Sequence, residues 1–316
     1  MKIQKIFWAL TVAALPLGFA ACSDDEDEDG GGTVTNTVQL DPGANKAVEG
    51  QYVTTQDGPK VNVNSTNTIT VAVPKKPRKM MLSLTRAEEE EKVEYEYVVG
   101  SYVKNGDVYT ITVGGALWGT VTISPKGDGK YDITIAPQGE EPIQAEAVKA
   151  QPVASGETTD NLCRTWKPFE VRIEVLKPGA TSWIGKKASP DFEDVKKKVE
   201  EEGCDVDDDF GNGYELERVS FDNAGGFTIG FNQAKNPDAK PYVGTWRWTD
   251  QAAGALHYKW NDEDMGNSYL TGEAQVVFKT VDNTPECWLN LDSEIESNNN
   301  KGKYLVKLKV GMHEFK

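Results

Sequence analysis

Apolar and polar residues alternate along most of the chain with a period of two, the pattern of strands that bury one face. Tyr109, Ile111 and Val113 share one side of such a run, with threonines between them. The pattern recurs in Thr120–Ile123 and in Tyr131–Ile135. Asn105-Gly106 and Lys126-Gly-Asp-Gly-Lys130 supply hairpin turns between these runs. Residues 45–150 are therefore expected to form a compact all-β module. Residues 138–160 are polar and contain Pro, Gly and Ser, which predicts a linker over 151–159.

The second half alternates more sharply. A strand is expected from Leu162 to Leu176, with Phe169, Val171, Ile173 and Val175 on one face and Glu170, Arg172 and Glu174 on the other. One helix follows, with Ser189 as N-cap, Pro190 at N1 and Gly203 as its stop. Phe192, Val195 and Val199 form its apolar stripe. Further strands are expected at Tyr214–Phe221, Gly226–Phe231, Tyr242–Thr249, Ala255–Trp260, Leu270–Lys279, Glu286–Leu291 and Lys303–Val310. With the first, these make eight, joined mostly by tight turns such as Asp222-Asn-Ala-Gly225 and Asp282-Asn-Thr284. Eight sequential strands suit an up-and-down antiparallel barrel over residues 160–316, which removes sheet edges by closing.

The N-terminus departs from this pattern. Lys2 and Lys5 precede an apolar stretch from Ile6 to Leu17, too short to span a membrane and built like the core of a signal peptide. It ends in Gly18-Phe-Ala-Ala-Cys22, which resembles the lipobox of bacterial lipoproteins. The resemblance implies cleavage before Cys22, so that residues 1–21 are lost, and acylation of its thiol and new amine. Several acyl chains anchor a protein stably where one is marginal. Residues 22–44 then form a tether, with six acids at Asp24–Asp29 followed by three glycines. Such a run repels itself and stays extended. It also resembles the lipoprotein export signal of Bacteroidetes, which implies an outer-membrane anchor facing the cell exterior.

Loss of Lys2 and Lys5 takes the formal charge from −16 to −18. So acidic a surface argues against nucleic acid and anionic lipid as partners. Three cysteines remain besides Cys22, namely Cys163, Cys204 and Cys287, so at most one internal disulfide can form. Cys163 and Cys287 lie in strand-like runs, where buried, inert thiols are expected.

In the second half, Asn161-Leu-Cys-Arg-Thr-Trp-Lys167 opens the domain, and the helix follows. Then come Val219-Ser-Phe-Asp-Asn-Ala-Gly-Gly-Phe227, Tyr242-Val-Gly-Thr-Trp-Arg-Trp248 and His257-Tyr-Lys-Trp260. This order resembles the lipocalin-like lipoprotein domains of gut Bacteroidetes, a family mostly of unknown function, and implies a small calyx-like barrel. The Gly-x-Trp of typical lipocalins is absent from the first strand, and Gly244-Thr-Trp246 lies mid-domain instead.

The chain is read as non-catalytic. Its two histidines, His257 and His313, lack metal spacing, and no nucleophile-elbow, Walker A or dinucleotide motif occurs. Asp205, Asp207 and Asp209 alternate in an acidic stretch, but the Gly and Glu of an EF-hand are out of register. That stretch is either a weak calcium site or a solvated loop, and no other cofactor is indicated. Trp166, Trp246, Trp248, Tyr258 and Trp260 are the ligand-binding candidates, because aromatic side chains lining a barrel stack sugars or enclose apolar ligands. The same residues could instead fill the barrel. The leading expectation is a surface lipoprotein binding a small hydrophobic or glycan ligand. The alternative is an accessory subunit of a surface assembly, with the first module holding a protein partner. An exposed apolar patch on that module would favour the alternative.

Overall fold

β-Branched and aromatic residues at every second position favour extended backbone and give each strand one apolar face. The computed structural model describes residues 34–35, 38, 40, 43–54, 58–75, 94–204, 214–260, 271–296 and 302–315. Within them the protein is all-β, built as two closed eight-stranded antiparallel barrels. A two-residue strand, β1 (Val34–Thr35), comes first. The N-terminal barrel follows as β2 (Gly50–Thr54), β3 (Lys60–Val63), β4 (Thr68–Pro74), β5 (Tyr95–Asn105), β6 (Val108–Val113), β7 (Ala116–Gly127), β8 (Lys130–Pro137) and β9 (Ile143–Lys149). Each strand pairs with the next, and Tyr52↔Lys149 to Thr54↔Ala147 close the ring.

Eight strands leave room inside for side chains and little else. Val61, Ile69, Val71, Ile111, Val121, Ile133 and Ile135 fill this interior. Tyr52 meets Tyr131 edge-on at 4.9 Å, and Tyr102 meets Tyr109 at 5.2 Å. The hairpin read at Asn105-Gly106 turns on Gly106 and Asp107, one residue later. Asp128 and Gly129 both have positive φ, the type I′ geometry that matches strand twist.

A six-residue helix, α1 (Glu157–Leu162), then leads into β10 (Thr165–Leu176), β11 (Ile184–Ala188) and a second helix, α2 (Phe192–Glu200). The remaining strands are β12 (Leu216–Phe221), β13 (Gly226–Phe231), β14 (Tyr242–Asp250), β15 (Ala255–Trp260), β16 (Thr271–Val281), β17 (Thr284–Glu296) and β18 (Lys303–Glu314). β10 and β12 to β18 form the C-terminal barrel, closed where β18 pairs β10 from Trp166↔Glu314 to Leu176↔Leu305. β11 adds to the free edge of β10, and β1 adds to β16. Val195 and Val199 of α2 pack on Ile173, Val175 and Val306, covering the part of β10 and β18 that extends beyond the ring.

Four local expectations are corrected. The first strand begins at Thr165, and Leu162 belongs to α1. Residues from Glu157 are helical where a linker was expected. The N-cap of α2 is Asp191, whose carboxylate accepts from Glu193 N at 2.8 Å. Ser189 instead donates to the Asp194 carboxylate through N and Oγ. Phe169 points outward, because the register shifts between Pro168 and Glu170 and a bulge flips one residue to the other face.

The two barrels touch through polar side chains. Asn64 Nδ2 donates to Phe221 O at 2.8 Å, and Thr165 N donates to Thr66 Oγ1 at 2.7 Å. Arg218 Nη1 donates to Ser101 Oγ at 3.1 Å, and Asn62 Nδ2 donates to the Asp222 carboxylate.

Candidate functional site

Alternation on β14 sends Trp246 inward, where it is 3% exposed beside Phe221, Phe227, Leu256 and Val276. Its indole N–H donates to Asp222 O at 3.1 Å. Trp166 is fully buried, with its indole N–H on Leu162 O at 3.1 Å. Both rings thus have apolar neighbours on their faces and a backbone acceptor on their one polar atom. As ligand contacts they would have to leave packed positions. Trp248 is half-buried and meets Trp246 edge-on at 5.3 Å. Its N–H donates to Thr159 Oγ1 at 2.9 Å, so α1 lies against this end of the barrel. Tyr258 packs edge-on to Phe227 at 6.3 Å, and burial pushes its hydroxyl up to about 12. The side chain of Trp260 lies outside the described residues, as do Cys22, the acidic tether, and Asp205, Asp207 and Asp209.

Arg164 carries no signal in the sequence yet holds this end together. It is 3% exposed. Its Nε donates to Asn161 O at 3.1 Å, Nη2 to Asp160 O at 3.4 Å and Nη1 to Glu314 Oε1 at 2.6 Å. One planar guanidinium therefore joins α1 to the last strand. Arg164→Ala is expected to destabilise the C-terminal barrel by about 2–3 kcal/mol, since it strands two carbonyls, leaves the partly exposed Glu314 carboxylate without its cation and removes a buried side chain. Arg164→Lys should recover less than half of that, because a point charge cannot reach three acceptors. Chemical denaturation of the three proteins checks both statements.

The chemistry of the remaining reactive groups is muted. Cys163, Cys204 and Cys287 are free and buried. Burial pushes the Cys163 and Cys287 thiols well up, which suppresses the nucleophilic thiolate. His257 sits 3.0 Å from Glu273 and His313 sits 3.3 Å from Glu286, each across one strand pair. Both are cross-strand partners, the first exposed and the second with Glu286 buried under Trp288, whose indole N–H donates to it at 2.7 Å. Among the described residues no group of three metal-ligating side chains occurs.

Two outer faces stand apart from this interior. On the C-terminal barrel, Phe169 stacks on His313 at 4.1 Å and meets Trp288 edge-on at 5.7 Å. Arg172 and Lys279 lie over the Trp288 ring at 4.9 and 4.3 Å. Gly311 is the floor of this cluster, where a Cβ would sit 2.8 Å from the Trp288 ring.

On the N-terminal barrel, strand register sets up two rows without a charge. One runs Val103, Thr110, Thr120, Ala136, and the other Val108, Thr122, Thr134, Gln144. Val103 is 73% exposed, and Leu117 beside Thr112 is 49% exposed. The next row carries Ser124, Asp132 and Glu146, with Lys126 bonded to both acids at 3.2 and 3.0 Å. The face is thus uncharged in the middle and ionic at one rim.

No family model matches the chain, and no curated protein matches it. Among solved structures it is similar to a crystal structure of the vaccine antigen Transferrin Binding Protein B from Haemophilus parasuis Hp5, in a tryptophan-to-alanine mutant. The identity is 10% and the TM-score 0.22, over 82% of this chain and 54% of that one. The chain therefore spans about half the length of that protein.

Proposed function

We propose that the chain is a non-catalytic lipoprotein, anchored to the outer membrane through Cys22 and facing the cell exterior. There it docks a protein partner on the outer face of its N-terminal barrel, as an accessory subunit of a surface assembly. The observation that carries this reading is the uncharged Val/Thr face of β5 to β8. In a chain of formal charge −16, a face with no charge in two full rows is where a partner can approach without desolvating ions or meeting repulsion. Its exposed Val103, Val108 and Leu117 add apolar surface, and the Lys126 network supplies a polar rim.

A photo-reactive residue at Thr110 of the displayed chain is expected to cross-link a surface protein of the same cells. Val103→Glu with Thr122→Glu should remove that adduct. The melting curve should stay within about 0.5 kcal/mol of its starting stability, because both side chains face outward. Absence of any adduct from Thr110, or an adduct indifferent to the two glutamates, would sink the reading.

Glycan binding is the second reading, favoured by exposed rings on the other barrel. Phe169 is 37% exposed and Trp183 is 38% exposed, with Lys307 over the Trp183 ring at 4.7 Å. Binding of a glycan that Phe169→Ala abolishes, with no adduct at Thr110, would select it. A small hydrophobic ligand would need the barrel interior, which Trp166, Trp246 and their neighbours occupy.

A further inference from the structure

Strand register lays two adjoining rows across the outer face of the C-terminal barrel. The first runs Val277, Trp288, Gly311 and ends at Glu170, with Phe169 in the bulge beside it. Phe169 and Val277 are each 37% exposed, so this row is an apolar strip. The second runs Gln275, Asn290, Lys309, Arg172 and Lys187, from β16 to the edge strand β11. In a chain of formal charge −16 it carries two amides, three cations and no acid. At the usual strand spacing it is about 19 Å long.

Arg172 is held where the rows meet. Its guanidinium lies over the Trp288 ring at 4.9 Å, and its Nε donates to Glu170 Oε1 at 2.6 Å. Among the described residues neither of its Nη atoms has an acceptor, and 36% of the side chain is exposed. A fork fixed by a ring and a carboxylate leaves its outer nitrogens for an oxyanion, at little further cost in side-chain entropy. Lys187 has no acid partner among the described residues, and Lys309 has Glu174 at 2.9 Å.

These rows suit one kind of ligand. An apolar strip with an exposed ring stacks the C–H face of a sugar. The amides of Gln275 and Asn290 supply the paired donors and acceptors that hydroxyls use. The cations call for negative groups, which a neutral sugar lacks. An anionic bilayer fits less well, because it is wider than the rows and would meet the acids that flank them. Asp292 and Glu174 stand on either side of Lys307 in the next row. A broad anionic surface is repelled by so acidic a chain, whereas a narrow ligand stays on the rows.

We propose that this face binds an acidic oligosaccharide along the two rows, with a carboxylate or sulfate on Arg172 and Lys187 and a sugar ring on Phe169. The inference rests on glycan binding at these rings and names the class of glycan. It is separate from docking at Thr110, which lies on the other barrel.

The test is titration calorimetry on the full chain in detergent micelles. Oligogalacturonate and its methyl ester share a backbone and differ in charge. A sulfated dextran oligomer and the plain dextran oligomer make the same comparison for sulfate. At least one acidic probe is expected to bind the unaltered chain about tenfold tighter than its neutral counterpart, and to weaken as salt rises. Arg172→Gln with Lys187→Gln should cost about tenfold in that affinity, and Phe169→Ala a similar factor. Arg247→Gln with Lys259→Gln removes the same charge from the outer face of β14 and β15, and should change affinity by less than about twofold. Acidic and neutral probes that bind alike overturn the acidic class and leave glycan binding standing. No binding of any of these probes overturns both. Binding of oligoglutamate, or of vesicles of anionic lipid, as tight as that of the acidic sugars and lost through the same double variant, overturns the sugar as ligand.

Discussion

Trp166→Ala is expected to remove about 3–5 kcal/mol from the C-terminal barrel, against a total of roughly 5–15 kcal/mol for an ordinary domain. The ring is fully buried, lies 6.0 Å from the Phe278 ring, and shares its core with Leu162, Cys287 and Met312. Closed strands cannot collapse onto the space it leaves, because hydrogen bonds on both edges fix their spacing. The Leu162 carbonyl also loses its indole donor. Trp166→Phe keeps most of the volume and should cost about 1–2 kcal/mol. Urea denaturation followed by circular dichroism separates the two. An alanine variant that unfolds at the wild-type midpoint would mean that the barrel has room to spare. The calyx expected from the sequence would then return.

That contrast shows where sequence reasoning stops. Strand identity and order were legible, because alternation needs only local information. All eight strands of the C-terminal barrel lie where they were expected, although β17 runs to Glu296 and β18 to Glu314, well past the expected ends at Leu291 and Val310. The role of the tryptophans was not legible. Two residues apart, Trp246 and Trp248 share a face of β14, yet only the other strands decide whether that face meets solvent or a packed core. Trp246 meets Phe221 and Phe227, brought in by β12 and β13.

The smaller misses have local causes. Ser189-Pro190 has the right residues for a helix start. However, Pro190 O accepts from Leu216 N and Asp191 bridges Glu215, which holds the backbone extended for two more residues. Strand β11 reads Ile-Gly-Lys-Lys-Ala, with too few apolar positions to alternate, and edge strands carry such lysines. Helix α1 is too short and polar to announce itself, and it is held by Trp248 and Gln251 on Thr159. The pairing of Asn62 with Asp222 spans 160 positions, a distance over which no pattern in one sequence speaks.

Cys22→Ser is expected to give a chain without lipid that keeps residues 1–21. A serine hydroxyl is far less nucleophilic than a thiolate, so the acceptor of the first acyl transfer is lost and the cut that depends on it does not occur. Intact mass reports both changes at once. Membrane retention should fall by orders of magnitude, because each buried methylene contributes about 0.8 kcal/mol and several chains are removed together. The melting of the barrels should stay where it was, since every described strand lies beyond Cys22 and the acidic run, from Val34 onward. Trp166→Ala does the reverse, leaving the anchor and disrupting a barrel. The proposed docking requires the anchor and the N-terminal barrel, not the C-terminal one: Cys22→Ser should lose the Thr110 adduct on cells although the docking face is intact, while Trp166→Ala should keep it. A Cys22→Ser chain that is still cut and still sediments with membranes would remove the lipoprotein reading and leave the docking face to be explained without it.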